Sequence, residues 1–191
     1  MIETVMPIKL SALLVVIASL AQAQAPQPSG GFRQDFLLNF SDVENKVLSL
    51  AKAMPAEKYS WRPGPSVRSV SEVYVHIANG NRLLLGLRGG MPAREEFMKT
   101  VQTNEQREKT ITDKAKVIAD LEASFKEVHG ALDGATEEGL AKAIKFFGED
   151  ATVRGVFMSI SNHVSEHLGQ SIAYARMNGI VPPWSRGQGG Q

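Results

Sequence analysis

Cysteine is absent from the 191 residues of this chain, and its absence excludes several kinds of chemistry at once. Without a thiol, the protein forms no disulfide and has no thiolate nucleophile or thiolate metal ligand. Any metal ion that the chain binds must therefore be held by histidine, aspartate or glutamate.

A surplus of charge of either sign is also lacking, since 21 Lys and Arg residues are balanced by 20 Asp and Glu residues. A protein that holds DNA or RNA needs a positive field to neutralise the phosphates. We therefore expect no nucleic-acid partner. The length and the 43% hydrophobic content fit one domain with one packed core.

A long apolar run occurs only near the N-terminus, where it predicts an export signal. Lys9 precedes the mainly apolar stretch 10–20, and small-residue patterns follow that end at Ala23 and Ala25. This is the order of charged region, apolar region and cleavage site in a secretory signal peptide. We expect cleavage after Ala23 or Ala25, so that the mature protein is periplasmic or secreted. The alternative is a membrane anchor, but a membrane span needs about 20 apolar residues, so we expect no membrane association after cleavage.

Apolar residues in the rest of the chain recur at spacings of three and four in four long segments, which predicts four helices. The predicted helices span about 32–54, 69–87, 112–130 and 152–178. The polar stretch 91–112 predicts a long connection with at most one short helix, and 143–152 predicts a short extended segment. Because no series of strands is present, the pattern indicates an all-α four-helix bundle with long connections.

The limits of the domain follow from these segments. Residues 1–25 are the expected signal peptide, and the Pro- and Gly-containing residues 26–31 are expected to be a flexible lead. The bundle domain is predicted over 32–184, and 185–191 are expected to be a flexible tail.

Two histidines lie four residues apart in the last predicted helix. His163 and His167 leave the helix about 40° apart and one turn displaced, so that one metal ion can reach both. His76 lies among inward-facing residues of the second helix and so also faces the core. Three neutral imidazoles suit zinc or nickel and leave one coordination position open for water. The competing interpretation is chance spacing, with the pair solvated and binding nothing.

Further polar residues near these histidines have several interpretations. Glu72 lies one turn before His76, where it can orient the imidazole, accept a proton or simply favour the helix N-terminus. Gln170 lies near the face of His163 and can hydrogen-bond a metal-bound water or a ligand, or face a subunit contact. No catalytic base is evident. His129 is expected at the C-terminus of the third helix, solvated and without a function.

Two stretches of the chain resemble a known family. Residues 162–170, NHVSEHLGQ, and the segment 174–183 that follows resemble the last helix of the DinB-like (DinB/YfiT-type) superfamily. Residues 67–78, VRSVSEVYVHIA, resemble the other motif of that family, a single histidine in the second helix. The resemblance covers about 32–184. It implies an up-up-down-down four-helix bundle, often dimeric, with a divalent metal ion held by the residues that match the family ligands, His76, His163 and His167.

The resemblance leaves three functions open. Most members of the family resemble metal-dependent hydrolases, and a hydrolase of an unidentified small molecule is the first hypothesis. Some members are thiol-dependent S-transferases or isomerases, but the small thiols that they use are mainly cytosolic, which disagrees with export. The third hypothesis is a non-catalytic, stress-related scaffold with a structural metal ion. A site with three protein ligands disfavours it, because structural zinc sites usually have four.

Overall fold

The computed structural model describes residues 31–187. The predicted signal peptide, residues 26–30 of the predicted lead and residues 188–191 of the predicted tail lie outside the described residues. Within 31–187, every helix is too short or too polar to cross a lipid bilayer.

Six α-helices and one β-hairpin make up the described part of the chain, which confirms the predicted all-α bundle. The elements are α1 (Phe32–Ala53), α2 (Val70–Gly86), α3 (Arg94–Thr110), α4 (Lys114–Asp133), α5 (Glu137–Ala141), β1 (Ala143–Phe146), β2 (Glu149–Thr152) and α6 (Val153–Met177). The bundle consists of α1, α2, α4 and α6. Helices α1 and α2 occupy opposite corners, because each packs mainly against α4 and α6.

Side-chain caps define where two of the bundle helices begin. Ser69 and Glu72 form a capping box at α2, in which the Ser69 hydroxyl accepts from the Glu72 N–H and the Glu72 carboxylate accepts from the Ser69 N–H. At α4, the Asp113 carboxylate accepts from the backbone N–H of Lys116 at 3.0 Å. Both caps satisfy backbone donors that the first turn of a helix leaves unpaired.

The direction of the helices follows from contacts at their ends. The Arg33 side chain, at the start of α1, donates to the carbonyl of Leu132 near the end of α4. Lys114, at the start of α4, donates to the Met54 carbonyl just beyond α1 at 2.7 Å. Helices α1 and α4 are therefore antiparallel. Helix α6 runs parallel to α1, because the residues that begin the two helices pack together, with Arg154 of α6 over the ring of Phe32.

Helix α2 runs opposite to α6. The Tyr174 hydroxyl, near the end of α6, donates to the Arg68 carbonyl just before α2 at 3.1 Å, and Gly80 later in α2 contacts His163. The order is thus up-down-down-up. The up-up-down-down order implied by the family resemblance is wrong for this chain, because the short connection 54–69 returns α2 against the direction of α1.

The apolar core includes a cluster of rings between α1, α4 and α6, which we call the phenylalanine cluster: Phe36, Phe40, Phe125 and Phe157. The ring centroids of Phe36 and Phe40 lie 4.9 Å apart, and the Phe157 ring meets Phe36 edge-on at 5.5 Å. All four side chains are buried. Such edge-on and offset contacts are favourable beyond the area that they bury.

The stretch 91–112 differs from its prediction, because it contains the 17-residue helix α3 instead of at most a short one. Among the residues of α3, only Glu108 is buried, so the helix has no apolar stripe for periodicity to detect. It forms because Glu, Gln, Lys, Arg and Met are good helix formers, with Glu95 and Glu96 in its first turn and Arg107 and Lys109 in its last.

Two smaller differences concern α4 and the segment after it. Helix α4 does not end at Gly130 as expected but continues to Asp133, because Leu132 is still buried in the core. The extended segment is a hairpin whose two-residue turn, Phe147-Gly148, has positive φ at both positions. This conformation matches the twist of a hairpin and favours glycine at the second position.

Candidate metal centre

Helices α2 and α6 bring His76, His163 and His167 together inside the bundle. The Nε2 atoms of His76 and His163 are 3.2 Å apart, and ligand nitrogens of all three side chains lie within 4.8 Å of one another. Two nitrogens bound to one ion at about 2.1 Å with tetrahedral angles would be roughly 3.4 Å apart. The spacing of the three imidazoles therefore fits a single metal ion.

Gly80 allows α2 and α6 to approach closely at this point. A Cβ atom placed on Gly80 would lie 2.1 Å from Cε1 of His163 and 2.6 Å from its Nδ1. Both distances are far shorter than any van der Waals contact, so a larger residue would displace the ring. The position of His163 thus depends on a residue of the facing helix that has no side chain.

The imidazole of His76 is oriented by a residue of α3. Nδ1 of His76 hydrogen-bonds to Oε1 of Glu108 at 2.7 Å, and the other carboxylate oxygen accepts from Nε of Arg68 at 2.7 Å. Burial raises the pKa of Glu108, but these two partners outweigh it and hold the pKa below its usual value. The ionised carboxylate keeps the proton of His76 on Nδ1 and leaves Nε2 facing the other two imidazoles.

His167 has a comparable support on its own helix. Its Nδ1 donates to Oε1 of Gln170 at 2.8 Å, so its Nε2 is the nitrogen left for a ligand bond. The amide of Gln170 then donates to the Tyr174 hydroxyl at 2.9 Å, and that hydroxyl donates to the Arg68 carbonyl. Gln170 is thus one hydrogen bond away from the centre and supports the His167 imidazole.

The electrostatics of the centre favour neutral imidazoles. Burial, followed by the charges that His167 and His76 would carry, lowers the pKa of His163 to about 3. Burial also lowers the pKa of His167. Neutral imidazole is the form that binds a metal ion. Among the described residues, the buried Nδ1 of His163 has no hydrogen-bond partner, and the ring packs against His76 of α2 and His167 of α6.

Glu72 does not contact His76. Its carboxylate accepts from the Ser69 N–H at 2.6 Å and pairs with Arg62 at 3.0 Å. Of its three interpretations, the structure shows the one at the helix N-terminus, and Glu108 occupies the supporting position beside His76. Burial opposes ionisation of Glu72, but the contacts with Ser69 and Arg62 lower its pKa.

His129 lies apart from the centre but not at the end of its helix as expected. It is within α4, which continues to Asp133, and its Nε2 bonds to Oε2 of Glu44 on α1 at 2.6 Å. The ring also packs edge-on against Phe40 at 5.8 Å. His129 therefore joins two helices rather than extending into solvent.

A cavity of about 190 Å³ between α2 and α3 adjoins two of the three histidines, and we call it the α2–α3 cavity. His76 and His163 form part of its wall. The other lining residues are Arg68, Asn79, Gly80, Leu83, Leu84, Val101, Asn104, Glu105 and Glu108. A small molecule in this cavity would lie directly beside the imidazoles.

Comparison with known proteins identifies the family of this chain. Residues 39–171, which include all three histidines, match the family model of the DinB superfamily. The chain belongs to the DinB superfamily. No curated protein matches it.

Two solved structures of DinB-like proteins have the same fold. One, from Bacillus subtilis, is 22% identical, with a TM-score of 0.59 over 77% of this chain and 93% of the other. The second, from Bacillus cereus ATCC 10987, is 18% identical, with a TM-score of 0.63 over 78% of this chain and 93% of the other. At these identities the likeness concerns the fold of this DinB superfamily member, and its chemistry must be argued from the residues themselves.

Proposed function

We propose that this protein binds one divalent metal ion, zinc or nickel, through His76, His163 and His167 and uses it to hydrolyse a small molecule. The observation that carries the proposal is the convergence of three imidazoles whose ligand nitrogens lie within 4.8 Å of one another. Three such ligands leave a coordination position open, as in catalytic rather than structural zinc sites.

The chain's own residues prepare this centre for a metal ion. Glu108 and Gln170 each hold one imidazole by Nδ1, which fixes the ring and leaves Nε2 available. Gly80 lets the third ring approach α2. A bound divalent ion would supply Lewis acidity and lower the pKa of a coordinated water, which is the chemistry that hydrolysis needs.

The cavity beside the centre favours an enzyme over a scaffold. A metal ion that only joined two helices would need no space next to it, whereas a substrate does. The α2–α3 cavity offers about 190 Å³ and shares His76 and His163 with the centre. Its volume favours a small substrate.

Metal analysis of the purified protein tests the binding proposal. We expect one zinc or nickel per chain in the parent, and none in His163→Ala or His167→Ala, because two imidazoles alone do not complete the site. His129→Ala is the matched control, since His129 lies outside the centre, and it should keep its metal. A triple variant of the three site histidines that bound metal as tightly as the parent would contradict the proposal.

Turnover is tested separately, with a panel of small esters, amides and phosphate esters. Zinc-loaded parent should hydrolyse at least one class, and zinc-loaded His129→Ala should match it. Loss of that turnover in His163→Ala would tie it to the centre. A loaded parent that hydrolysed no member of the panel would favour the non-catalytic scaffold.

We also propose that the protein acts outside the cytoplasm. The proposal rests on the signal-like residues 1–25, which lie outside the described residues. Mass spectrometry of the protein made in a bacterial host should find a mature chain that begins after Ala23 or Ala25. A full-length chain that stays with the membrane fraction would favour the anchor instead.

A further inference from the structure

We propose that the α2–α3 cavity binds a short, uncharged aliphatic group of the substrate, with the reacting polar group of that substrate facing the three histidines. This inference rests on the proposed function, because it assigns the substrate class of the same site. Four properties of the cavity support the inference: its position, its walls, its charge and its volume.

The position of the cavity fixes which end of a guest meets the metal centre. His76 and His163 belong both to the centre and to the cavity wall. A molecule that fills the cavity therefore has one end beside the imidazoles, and the remainder lies between α2 and α3.

The wall away from the histidines is largely apolar. Leu83 and Leu84 of α2 and Val101 of α3 supply it. Leu84 is almost fully buried and the other two are half-buried, and all three line the cavity with carbon surface. Contact with such a wall lowers the free energy of a hydrocarbon guest by removing apolar surface from water, and a polar guest gains no such stabilisation.

Two polar side chains of the wall, Asn79 and Glu108, are already paired within the protein. The Asn79 amide donates to the Asn104 carbonyl at 3.1 Å, and its oxygen accepts from Nε of Arg107 at 2.9 Å. Both oxygens of Glu108 are bonded, to His76 and to Arg68. A substrate would have to break these bonds to be recognised through Asn79 or Glu108, which favours recognition by apolar contact and by the metal centre.

The charges around the cavity disfavour an anionic guest. The guanidinium of Arg68 is balanced by Glu108, while Glu105 adds a second carboxylate to the wall. A carboxylate on a guest would lose its hydration and would meet a wall with one more carboxylate than guanidinium groups. An uncharged chain avoids both costs.

The volume limits the length of the chain. The cavity of about 190 Å³ is smaller than the roughly 300–1,000 Å³ of typical small-molecule pockets. The aliphatic group bound there should therefore be short, with about four to six carbons.

Alkyl hydroxamates provide the test, because the hydroxamate binds zinc and the alkyl chain can be lengthened one methylene at a time. Their affinities for zinc-loaded protein are measured by calorimetry from acetohydroxamate to octanohydroxamate. Each buried methylene should tighten binding about fourfold, up to about six carbons, after which the gain should stop. The readout is binding, so it does not depend on any enzymatic activity.

Two matched pairs sharpen the experiment. Val101→Phe reduces the cavity and should weaken hexanohydroxamate more than tenfold, whereas Met98→Phe, on an exposed position of the same helix outside the cavity, should not. Succinic monohydroxamate has the chain length of butyrohydroxamate but ends in a carboxylate, and it should bind at least tenfold more weakly.

The outcomes separate this inference from the function on which it rests. A parent that holds no zinc overturns both. A zinc-loaded parent whose hydroxamate affinity does not change with chain length, or that prefers the carboxylate-terminated probe, overturns the assignment of the cavity and leaves the metal centre intact. Equal losses in Val101→Phe and Met98→Phe would likewise contradict the assignment.

Discussion

The phenylalanine cluster and the three-histidine centre share helix α6 but are stabilised in different ways. Phe157 lies among buried rings that need no partner beyond contact. His163, six residues later, lies among groups whose proton positions and orientations matter, and its neighbours His76 and His167 each require a hydrogen-bond acceptor at Nδ1. The phenylalanine cluster contributes stability through buried apolar area. The three-histidine centre instead keeps the lone pairs of its imidazole nitrogens in a fixed arrangement.

The difference indicates which changes should damage the fold and which should damage the site. Removing carbon from the phenylalanine cluster leaves a cavity in the core, and its cost does not depend on metal. Altering a supporting residue of the histidines leaves the packing nearly unchanged but misdirects a ligand. If the two regions are as separate as the contacts indicate, stability and metal affinity should respond to different substitutions.

The largest expected effect is on stability, from Phe157→Ala. The substitution should lower the free energy of unfolding by about 3–5 kcal/mol, measured by urea denaturation, because it empties a buried ring position. The folded fraction should still bind one zinc. Leu38→Ala is the control, since Leu38 is 75% exposed on α1 and should change stability by less than about 0.5 kcal/mol. Loss of zinc from folded Phe157→Ala would show that the two regions are coupled.

Gly80→Ala should produce the largest effect on the centre without removing a ligand. The new methyl group would overlap the His163 ring, so the ring must move and zinc affinity should fall by more than about 100-fold, beyond the range for outer-shell changes. Gly86→Ala in the same helix meets no atom within 4 Å and should leave zinc affinity unchanged. Zinc affinity is measured by competition with a zinc-binding dye. If the two variants bound zinc equally well, the close approach of Gly80 to His163 would not matter for metal binding.

Glu108→Gln should have a smaller effect of the same kind. The amide keeps an oxygen for His76 but loses the charge that pairs with Arg68 and makes the imidazole more basic. Zinc affinity should fall by about 10–100-fold, the usual cost of losing an outer-shell partner. Glu95→Gln, at the exposed start of α3, is the control. An unchanged affinity in Glu108→Gln would mean that His76 is oriented by packing alone.

The smallest expected effect is a pH dependence of the metal-free protein. His163 has a pKa of about 3 in the folded chain and about 6.5 when unfolded, so between these values the unfolded chain binds the extra proton. Stability from this group is complete above pH 6.5 and falls as the pH is lowered toward 3. Urea denaturation with a chelator between pH 6.5 and 5, above the range of carboxylates, should show this slope. The free energy of unfolding of His163→Leu should change less steeply with pH, by up to one proton. A Phe157→Ala variant with the same pH slope as the parent would show that the phenylalanine cluster does not contribute to this pH dependence.

Much of the bundle could be predicted because its helices have apolar stripes. The expected helix 69–87 is observed as Val70–Gly86, and 152–178 as Val153–Met177. Helix α3 was missed because burial is the origin of the periodic signal and α3 buries a single residue, Glu108. The acids in its first turn and the bases in its last were the signal that could have indicated it.

The three histidines could be recognised from helical geometry, but their supports could be recognised only in part. Gln170 was accessible because it lies three residues from His167 on the same helix. Glu108 was not, since 32 residues separate it from His76 and only tertiary structure brings them together. Glu72 was the nearer acid along the chain, yet the capping box uses its carboxylate. No sequence pattern indicated a role for Gly80, because the requirement for glycine comes from the close approach of α6, which only the tertiary structure shows.

Helix α3 is attached to the bundle by polar contacts, and Glu108 is the residue of α3 that reaches one of the three histidines, His76. The docking of this helix and the orientation of His76 are therefore parts of one equilibrium. Thermodynamic reciprocity requires that, if docking of α3 tightens metal binding by some factor, metal binding favours docking of α3 by the same factor. Since α3 also forms one wall of the α2–α3 cavity, a metal ion that favoured docking of α3 would favour the position of that wall as well.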